Sequence, residues 1–214
     1  MIKAVIFDLD GVLVSTDDLH YRAWKALADR EGIFFDRKIN NRLRGVSRME
    51  SLEIILERAQ RAYSPEEKKE MCAYKNSLYV ELLASLSPAD RLPGVDECLA
   101  RLRREGYRLA VGSSSKNTKR ILSRIELADS FDAVADGTDI TRSKPDPEVF
   151  LVAAARLGMA PESCAVVEDA EAGIRAAKAG GMTACAVGDA KKSPLADMTL
   201  DSLSELPDQL RKIG

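Results

Sequence analysis

The chain has 214 residues, enough for one sizeable domain or for a core domain that carries a smaller one. A hydrophobic fraction of 45% and a charged fraction of 31% are those of a folded globular protein. The 32 basic and 34 acidic residues are mixed along the chain, and the formal net charge is −2, which predicts no nucleic-acid partner.

No run of about 20 apolar residues exists, so no membrane partner is expected. The apolar run at Met1 to Phe7 is too short for a signal peptide and is stopped by Asp8. The densest basic cluster, Arg101, Arg103 and Arg104, lies in a helical pattern with Leu99 and Leu102 and reads as its solvated face. Cys72, Cys98, Cys164 and Cys185 show no Cys-x-x-Cys spacing, and Cys164 and Cys185 read as small buried hydrophobes. These features predict a reducing, cytoplasmic setting and no structural metal cluster.

The first predicted element is a short buried strand over Ile2 to Phe7, rich in β-branched residues. Asp8 and Asp10 follow at its carboxyl end. Residues i and i+2 of an extended chain point to one side, so two carboxylates would share a small space. That arrangement is costly unless a cation sits between them or one is protonated. Two chemistries fit, Mg²⁺ binding and a nucleophile paired with an acid/base; the plain alternative is a turn-capping Asp8 beside a solvated Asp10.

Helices are expected next. One is capped at Ser15 or Thr16 and runs to about Arg30, one spans about 36–43, and one spans about Met49 to Ala62. A fourth starts at Ser64-Pro65-Glu66-Glu67 and runs to about Ala84. Arg44-Gly45-Val46-Ser47-Arg48 is a break between them. Residues 16 to about 85 thus predict four helices and no strand.

Ser87 to Gly94 is a linker by composition. Beyond it the pattern alternates. Helices over 94–105, 117–126, 147–157 and 171–179 precede strands at Arg108–Gly112, Ala133–Ala135, Cys164–Val167 and Thr183–Val187. A last short strand near Met198–Leu200 leads to a C-terminal helix. Alternating β and α units imply a parallel sheet covered on both faces. The first strand belongs to that sheet, so the helical block is an insertion. The expected division is 1–15 with 88–214 for the α/β core and 16–87 for the helical unit.

Open α/β sheets bind ligands at the carboxyl ends of their strands. Three later strand ends carry polar groups. Gly112 is followed by Ser113, Ser114, Ser115, Lys116 and Asn117, which supply a hydroxyl and free backbone N–H groups at a helix start, either an anion site or simply a cap and loop. Lys144, in Ser143-Lys144-Pro145-Asp146-Pro147, can present a point charge to a phosphate or stay a surface lysine. Glu168 and Asp169 form a second acidic pair, suited to a hard cation or to a solvated loop.

Taken together, these four stretches in chain order resemble the four motifs of the haloacid dehalogenase (HAD) superfamily, over essentially the whole chain. The inserted helices are similar to those of its β-phosphoglucomutase subfamily. Thr16, His20, Ala23 and Trp24 after Asp8-Leu9-Asp10-Gly11-Val12 match that subfamily, as do Arg44 to Arg48, Ser51, Lys75-Asn76 and Ser113 to Asn117. Arg44 stands where the subfamily usually has lysine, so a planar fork replaces a point charge. Ser114 stands where alanine is common.

The resemblance implies a Rossmann-like parallel α/β core with an inserted four-helix cap. It implies reversible phosphoryl transfer between β-D-glucose 1-phosphate and D-glucose 6-phosphate through a bisphosphate. Asp8 would be the nucleophile and Asp10 the acid/base; His20, otherwise a surface helix histidine, would contact Asp10 as the cap closes, with Thr16 at i, i+4 on the same helix face counted among the catalytic residues; Ser113 and Lys144 would balance phosphoryl charge. Mg²⁺ would be held by Asp8, the Asp10 backbone carbonyl, Asp169 and Glu168. Arg48 would hold the distal phosphate, and Arg44, Gly45, Val46, Ser47, Ser51, Lys75, Ser114, Ser115, Lys116 and Asn117 would line the sugar site. Trp24 is either a packing residue or a sugar contact. The expected partners are small hexose phosphates, and the expected state is a monomer.

A sugar-phosphate phosphatase on the same scaffold would share all four motifs and differ in letting water reach the aspartyl-phosphate. Arg48, Ser51, Lys75 and His20 favour the mutase. A non-catalytic phosphosugar sensor would lack a catalytic group, and none is missing.

Overall fold

The structure, a computed structural model, describes residues 1–44 and 46–213. Six strands form one parallel sheet: β1 (Ala4–Phe7), β2 (Arg108–Gly112), β3 (Ala133–Ala135), β4 (Cys164–Glu168), β5 (Thr183–Ala186) and β6 (Met198–Thr199). Their spatial order is β3-β2-β1-β4-β5-β6. Chain order reverses between β1 and β4, which makes the gap above them the crevice where such sheets bind ligands. Phe7 pairs with Val111 on one side and Val167 on the other, so Asp8 and Glu168 leave the sheet at the same level.

Both faces of the sheet are buried, as parallel strands require. Val5 and Phe7 point into one apolar cluster with Leu99, Leu102, Leu109 and Val167; Ala4 and Ile6 point into another with Phe150, Ile174 and Val166. Helices α5 (Val95–Arg104), α6 (Thr118–Arg124) and α9 (Leu206–Lys212) contribute to the first, and α7 (Glu148–Leu157) and α8 (Glu171–Ala179) to the second. The Arg101 side of α5 faces outward and pairs with Asp208 and Glu105.

Between β1 and β2 the chain forms α1 (Asp17–Arg30), α2 (Arg37–Asn41), α3 (Arg48–Leu56) and α4 (Pro65–Leu82). These helices bury a third cluster of their own, built on Trp24, Leu27, Phe35, Leu52, Ile55 and Met71. The way in and the way out lie side by side: Leu92 N–H donates to Leu13 O at 3.0 Å, and Val14 bridges Arg91.

Most boundaries fall within one or two residues of expectation, the usual uncertainty of helix ends. The third helix is the exception. It begins at Arg48, inside the expected break, and ends at Leu56 rather than Ala62. Ser47 starts it with a capping box: its Oγ accepts from Glu50 N–H while Glu50 accepts from Ser47 N–H. Arg58 and Ala59 N–H turn to the carbonyls of Ile55 and Leu56, a tightened last turn that ends the helix. The side chain of Arg42 makes a bidentate bond to Glu57 at 2.7 Å and fixes that end.

Ser64 caps α4 in the same way, with Glu67 as its reciprocal partner and Pro65 at the first helical position. Because α4 carries Lys75 and Tyr79 into the site, this cap matters beyond its own turn. Ser64→Ala should cost about 1 kcal/mol of unfolding free energy. Denaturant titration checks this, and an unchanged midpoint would mean that tertiary packing alone fixes the start of α4.

Candidate active site

The carboxyl ends of β1, β2 and β4 and the inner side of α1–α4 enclose a cavity of about 1000 Å³. Asp8 and Asp10 form its floor. Asp8 is 7% exposed and sits within a group of carboxylates with Glu168 and Asp169, whose candidate ligand oxygens lie within 4.8 Å of one another. Strand order creates this meeting, because β1 and β4 are neighbours in space although some 160 residues separate Asp8 from Glu168 in sequence.

Lys144 lies among these charges. Its Nζ donates to Asp8 Oδ1 at 2.6 Å and to a Glu168 oxygen, and it stands 4.6 Å from the centre of the Phe150 ring. Burial alone would lower the Lys144 pKa; the charges of Asp8 and Glu168 outweigh it and hold the ammonium above its ordinary value. Glu168 is itself 1% exposed, and its other oxygen accepts from Ala170 N–H at 3.0 Å. The absence of a side chain at Gly173 lets Glu168 lie against α8, since a Cβ there would come within 1.9 Å of its carboxyl carbon.

The donor set fits a magnesium ion. Burial first, and then the neighbouring carboxylates, push both Glu168 and Asp169 well above the ordinary carboxylate range, with Lys144 opposing the shift of Glu168. All available side-chain ligands are oxygens, as a hard cation prefers. Gly11, at φ +82°, turns the chain so that its backbone passes Asp169, where any Cβ would meet Asp169 Oδ2 at 2.1 Å. This turn carries Asp10 past the acidic group and into the cavity.

Asp10 is bound differently. Thr16 Oγ1 donates to it, and Tyr79 O–H donates to Thr16 Oγ1 at 3.0 Å. Thr16 occupies the N-cap position of α1, but its hydroxyl serves Asp10 rather than the helix, which corrects the expectation of a simple cap. Burial, opposed by the Thr16 hydrogen bond and reinforced by the Asp8 charge, pushes the Asp10 carboxyl up to about 6. A carboxyl tuned this way can hold and return a proton near neutrality, the property a general acid/base needs.

Above Asp10 lies a second buried cation. Lys75 is 1% exposed, with Nζ 2.8 Å from His20 Nδ1 and 4.8 and 4.4 Å from the Trp24 and Tyr79 ring centres. Burial, and then Arg48, lower the Lys75 pKa; burial, Lys75 and Arg48 together hold His20 well below its ordinary value. An ammonium only donates, so against charged Lys75 the His20 proton sits on Nε2. Among the described residues no hydrogen bond joins His20 to Asp10. Trp24, 2% exposed, packs in the apolar cluster of the inserted helices while also lining the cavity.

The remaining expected residues fall on the cavity wall. Arg44, Val46, Ser47, Arg48 and Ser51 line it from the insertion, and Ser113, Ser114, Ser115, Lys116 and Asn117 line it from the sheet. The serine loop holds itself in shape: Ser113 Oγ accepts from Ser115 N–H and Ser115 Oγ from Asn117 N–H, both at 3.2 Å. The guanidinium of Arg44 lies 3.6 Å from Asp17, 3.6 Å from Asp189 and 3.8 Å from Asp169. Thr16 and Glu168 sit behind the wall, reaching the cavity through Asp10 and Lys144. Gly45 lies outside the described residues. Tyr79 was not expected, although its position one helical turn beyond Lys75 is a signal for it.

Known proteins share this layout. Residues 2–181 match the family model of haloacid dehalogenase-like hydrolases. The chain is 45% identical over 206 residues to a β-phosphoglucomutase of Bacillus subtilis, covering 95% of this chain and 91% of the relative. It is 33% identical to a phosphorylated carbohydrates phosphatase of Thermotoga maritima, covering 84% of this chain and 82% of that one. A crystal structure of β-phosphoglucomutase from Clostridium difficile superposes with a TM-score of 0.93 at 38% identity, covering all of this chain and 96% of the other. With the parallel sheet, its helical insertion and the acidic crevice between them, the chain belongs to the haloacid dehalogenase-like hydrolase family.

Proposed function

We propose that the chain is a β-phosphoglucomutase, interconverting β-D-glucose 1-phosphate and D-glucose 6-phosphate through an aspartyl-phosphate and a glucose 1,6-bisphosphate. The observation that carries this reading is that one cavity is lined by cationic and hydroxyl groups at the sheet end and by a further guanidinium on the insertion. Asp8, Lys144 and Ser113 lie at the sheet end, and Arg48 lies on the insertion. A phosphatase needs the sheet-end groups alone; a mutase must also hold the far phosphate while the near one reacts.

Asp8 attacks phosphorus, and its carboxylate oxygen becomes bonded to the transferred phosphoryl group. Asp10 gives its proton to the departing sugar oxygen, then takes one from the accepting hydroxyl in the second half-reaction. Lys144 and the Ser113 hydroxyl offset charge on the phosphoryl oxygens. Thr16 and Tyr79 hold the Asp10 carboxyl in place. Asp8, Asp169 and the Asp10 backbone carbonyl would hold Mg²⁺, with Glu168 beside them. When bound, the ion neutralises the acidic group and withdraws charge from the phosphate.

Residues 16–87 are the cap in this reading, with 1–15 and 88–214 as the core; closure excludes water from the aspartyl-phosphate. The four free, buried thiols support the cytoplasm as the setting of the chain.

The decisive assay supplies β-glucose 1-phosphate, a trace of glucose 1,6-bisphosphate and Mg²⁺, and measures glucose 6-phosphate and free phosphate separately. Glucose 6-phosphate should dominate. Phosphate release in its place would make the chain a sugar-phosphate phosphatase, like its Thermotoga relative. Chelation should abolish turnover and added Mg²⁺ restore it; full activity in chelator contradicts the oxygen-ligand site.

Arg48→Ala tests the far clamp. Loss of a charge-assisted contact of about 2–4 kcal/mol should slow transfer through the bisphosphate roughly 30- to 1000-fold. Phosphorylation of Asp8 by acetyl phosphate, which has no distal phosphate, should suffer far less. Equal losses in both reactions would assign Arg48 to the core site or to structure.

A further inference from the structure

Arg48 and Asn117 approach the cavity from opposite sides, one at the start of α3 and the other just before α6. They are joined by a third residue. Arg48 Nη2 donates to Asn76 Oδ1 at 2.7 Å, and Asn117 Nδ2 donates to the same oxygen at 3.0 Å. Among the described residues, Arg48 and Asn117 line the cavity and Asn76 does not. A guanidinium only donates, so Arg48 settles which end of the Asn76 amide it meets. That oxygen then fixes the amide of Asn117, whose own carbonyl oxygen is left for another partner.

We propose that Asn76 is a positioning residue whose neutral carbonyl oxygen ties Arg48 of the insertion to Asn117 of the sheet domain, assembling the clamp for the substrate's distal phosphate. Neutrality matters. A carboxylate could accept both hydrogen bonds, but it would cancel the arginine's charge where an anion must bind. An amide orders the long arginine side chain, which is otherwise entropically costly to fix, and leaves its charge available. The shared oxygen also makes the clamp depend on closure: Arg48 and Asn117 meet at Asn76 only when the insertion is seated on the sheet. This inference rests on the mutase reading.

The test uses the full chain with Mg²⁺ and compares wild type, Asn76→Ala, Asn76→Asp, Arg48→Ala and the Asn76→Ala/Arg48→Ala double variant. Asn76→Ala should raise the KM for glucose 1,6-bisphosphate about ten- to a hundredfold, with a smaller change in kcat. In the Arg48→Ala background the same change should cost several-fold less than in the wild type, because only its hold on Asn117 is then left to lose. Asn76→Asp keeps the shape and both hydrogen bonds, so it guards against failure of the alanine variant to fold. It should still raise KM, whereas a merely structural cross-link would be preserved by it.

An unchanged KM in Asn76→Asp, or a loss from Asn76→Ala that adds fully to that of Arg48→Ala, overturns the positioning role. A wild-type chain that makes no glucose 6-phosphate overturns the underlying reading instead.

Discussion

Everything at this site follows from burying like charges at one point. The sheet order brings Asp8 beside Glu168 and Asp169, and low-dielectric surroundings make their mutual repulsion expensive. Lys144 answers part of that charge by donating to Asp8 and Glu168 at once. Removing one partner of such a buried set leaves an uncompensated charge, a cost on the order of 3–5 kcal/mol. A fold that retains the arrangement keeps a local electrostatic strain that a divalent cation would relieve. Two glycines make the geometry possible: Gly11 lets the loop pass Asp169, and Gly173 lets Glu168 lie on α8.

The insertion supplies the opposite charge. Lys75, Arg48 and Arg44 line the cavity from above, while Asp8, Asp10 and Asp169 line it from below. The two layers are joined by polar chains rather than by apolar packing alone. Tyr79 reaches Asp10 through Thr16, Asn76 reaches Asn117, and Arg44 lies between Asp17, Asp169 and Asp189. Such contacts are directional and can be broken and remade at modest cost, which suits the opening and closing that the proposed role of the insertion as a cap requires. Burial, more than any single partner, disfavours the charged forms of Lys75 and His20 beside Asp10.

Much of this was legible in the sequence because it is written in local pattern. The alternation of helices with short apolar runs predicted the parallel sheet, and the position of Asp8, Ser113 and Glu168 at the ends of such runs placed them at its carboxyl edge, whereas Lys144 lies beyond the end of β3 at Ala135 and is brought in by the segment before α7. The third helix was misjudged because its apolar spacing continues past Leu56, whereas its end is set by a tightened turn and the Arg42–Glu57 pair, which are tertiary features. Thr16 read locally as a helix cap and, by resemblance alone, as a site residue; nothing in its neighbourhood along the chain announces Tyr79 as its partner. Helical spacing puts Tyr79 on the same side of α4 as Lys75, but the partners of Asn76 and Tyr79, Asn117 and Thr16, are set by how α4 packs and are not encoded by periodicity. The strand order that makes Asp8 and Glu168 neighbours is likewise a property of the folded sheet.

The central claim is that Asp8 carries the phosphoryl group and Asp10 carries the proton. Trapping the phosphoenzyme after brief reaction with acetyl phosphate, and locating the modified residue by mass spectrometry in wild type, Asp8→Asn and Asp10→Asn, tests it directly. Phosphate should appear on Asp8 in the wild type, vanish in Asp8→Asn, and persist in Asp10→Asn, because acetyl phosphate has a good leaving group that needs little protonation. Equal phosphoenzyme yields in both variants, or phosphate on any other residue, would contradict the account.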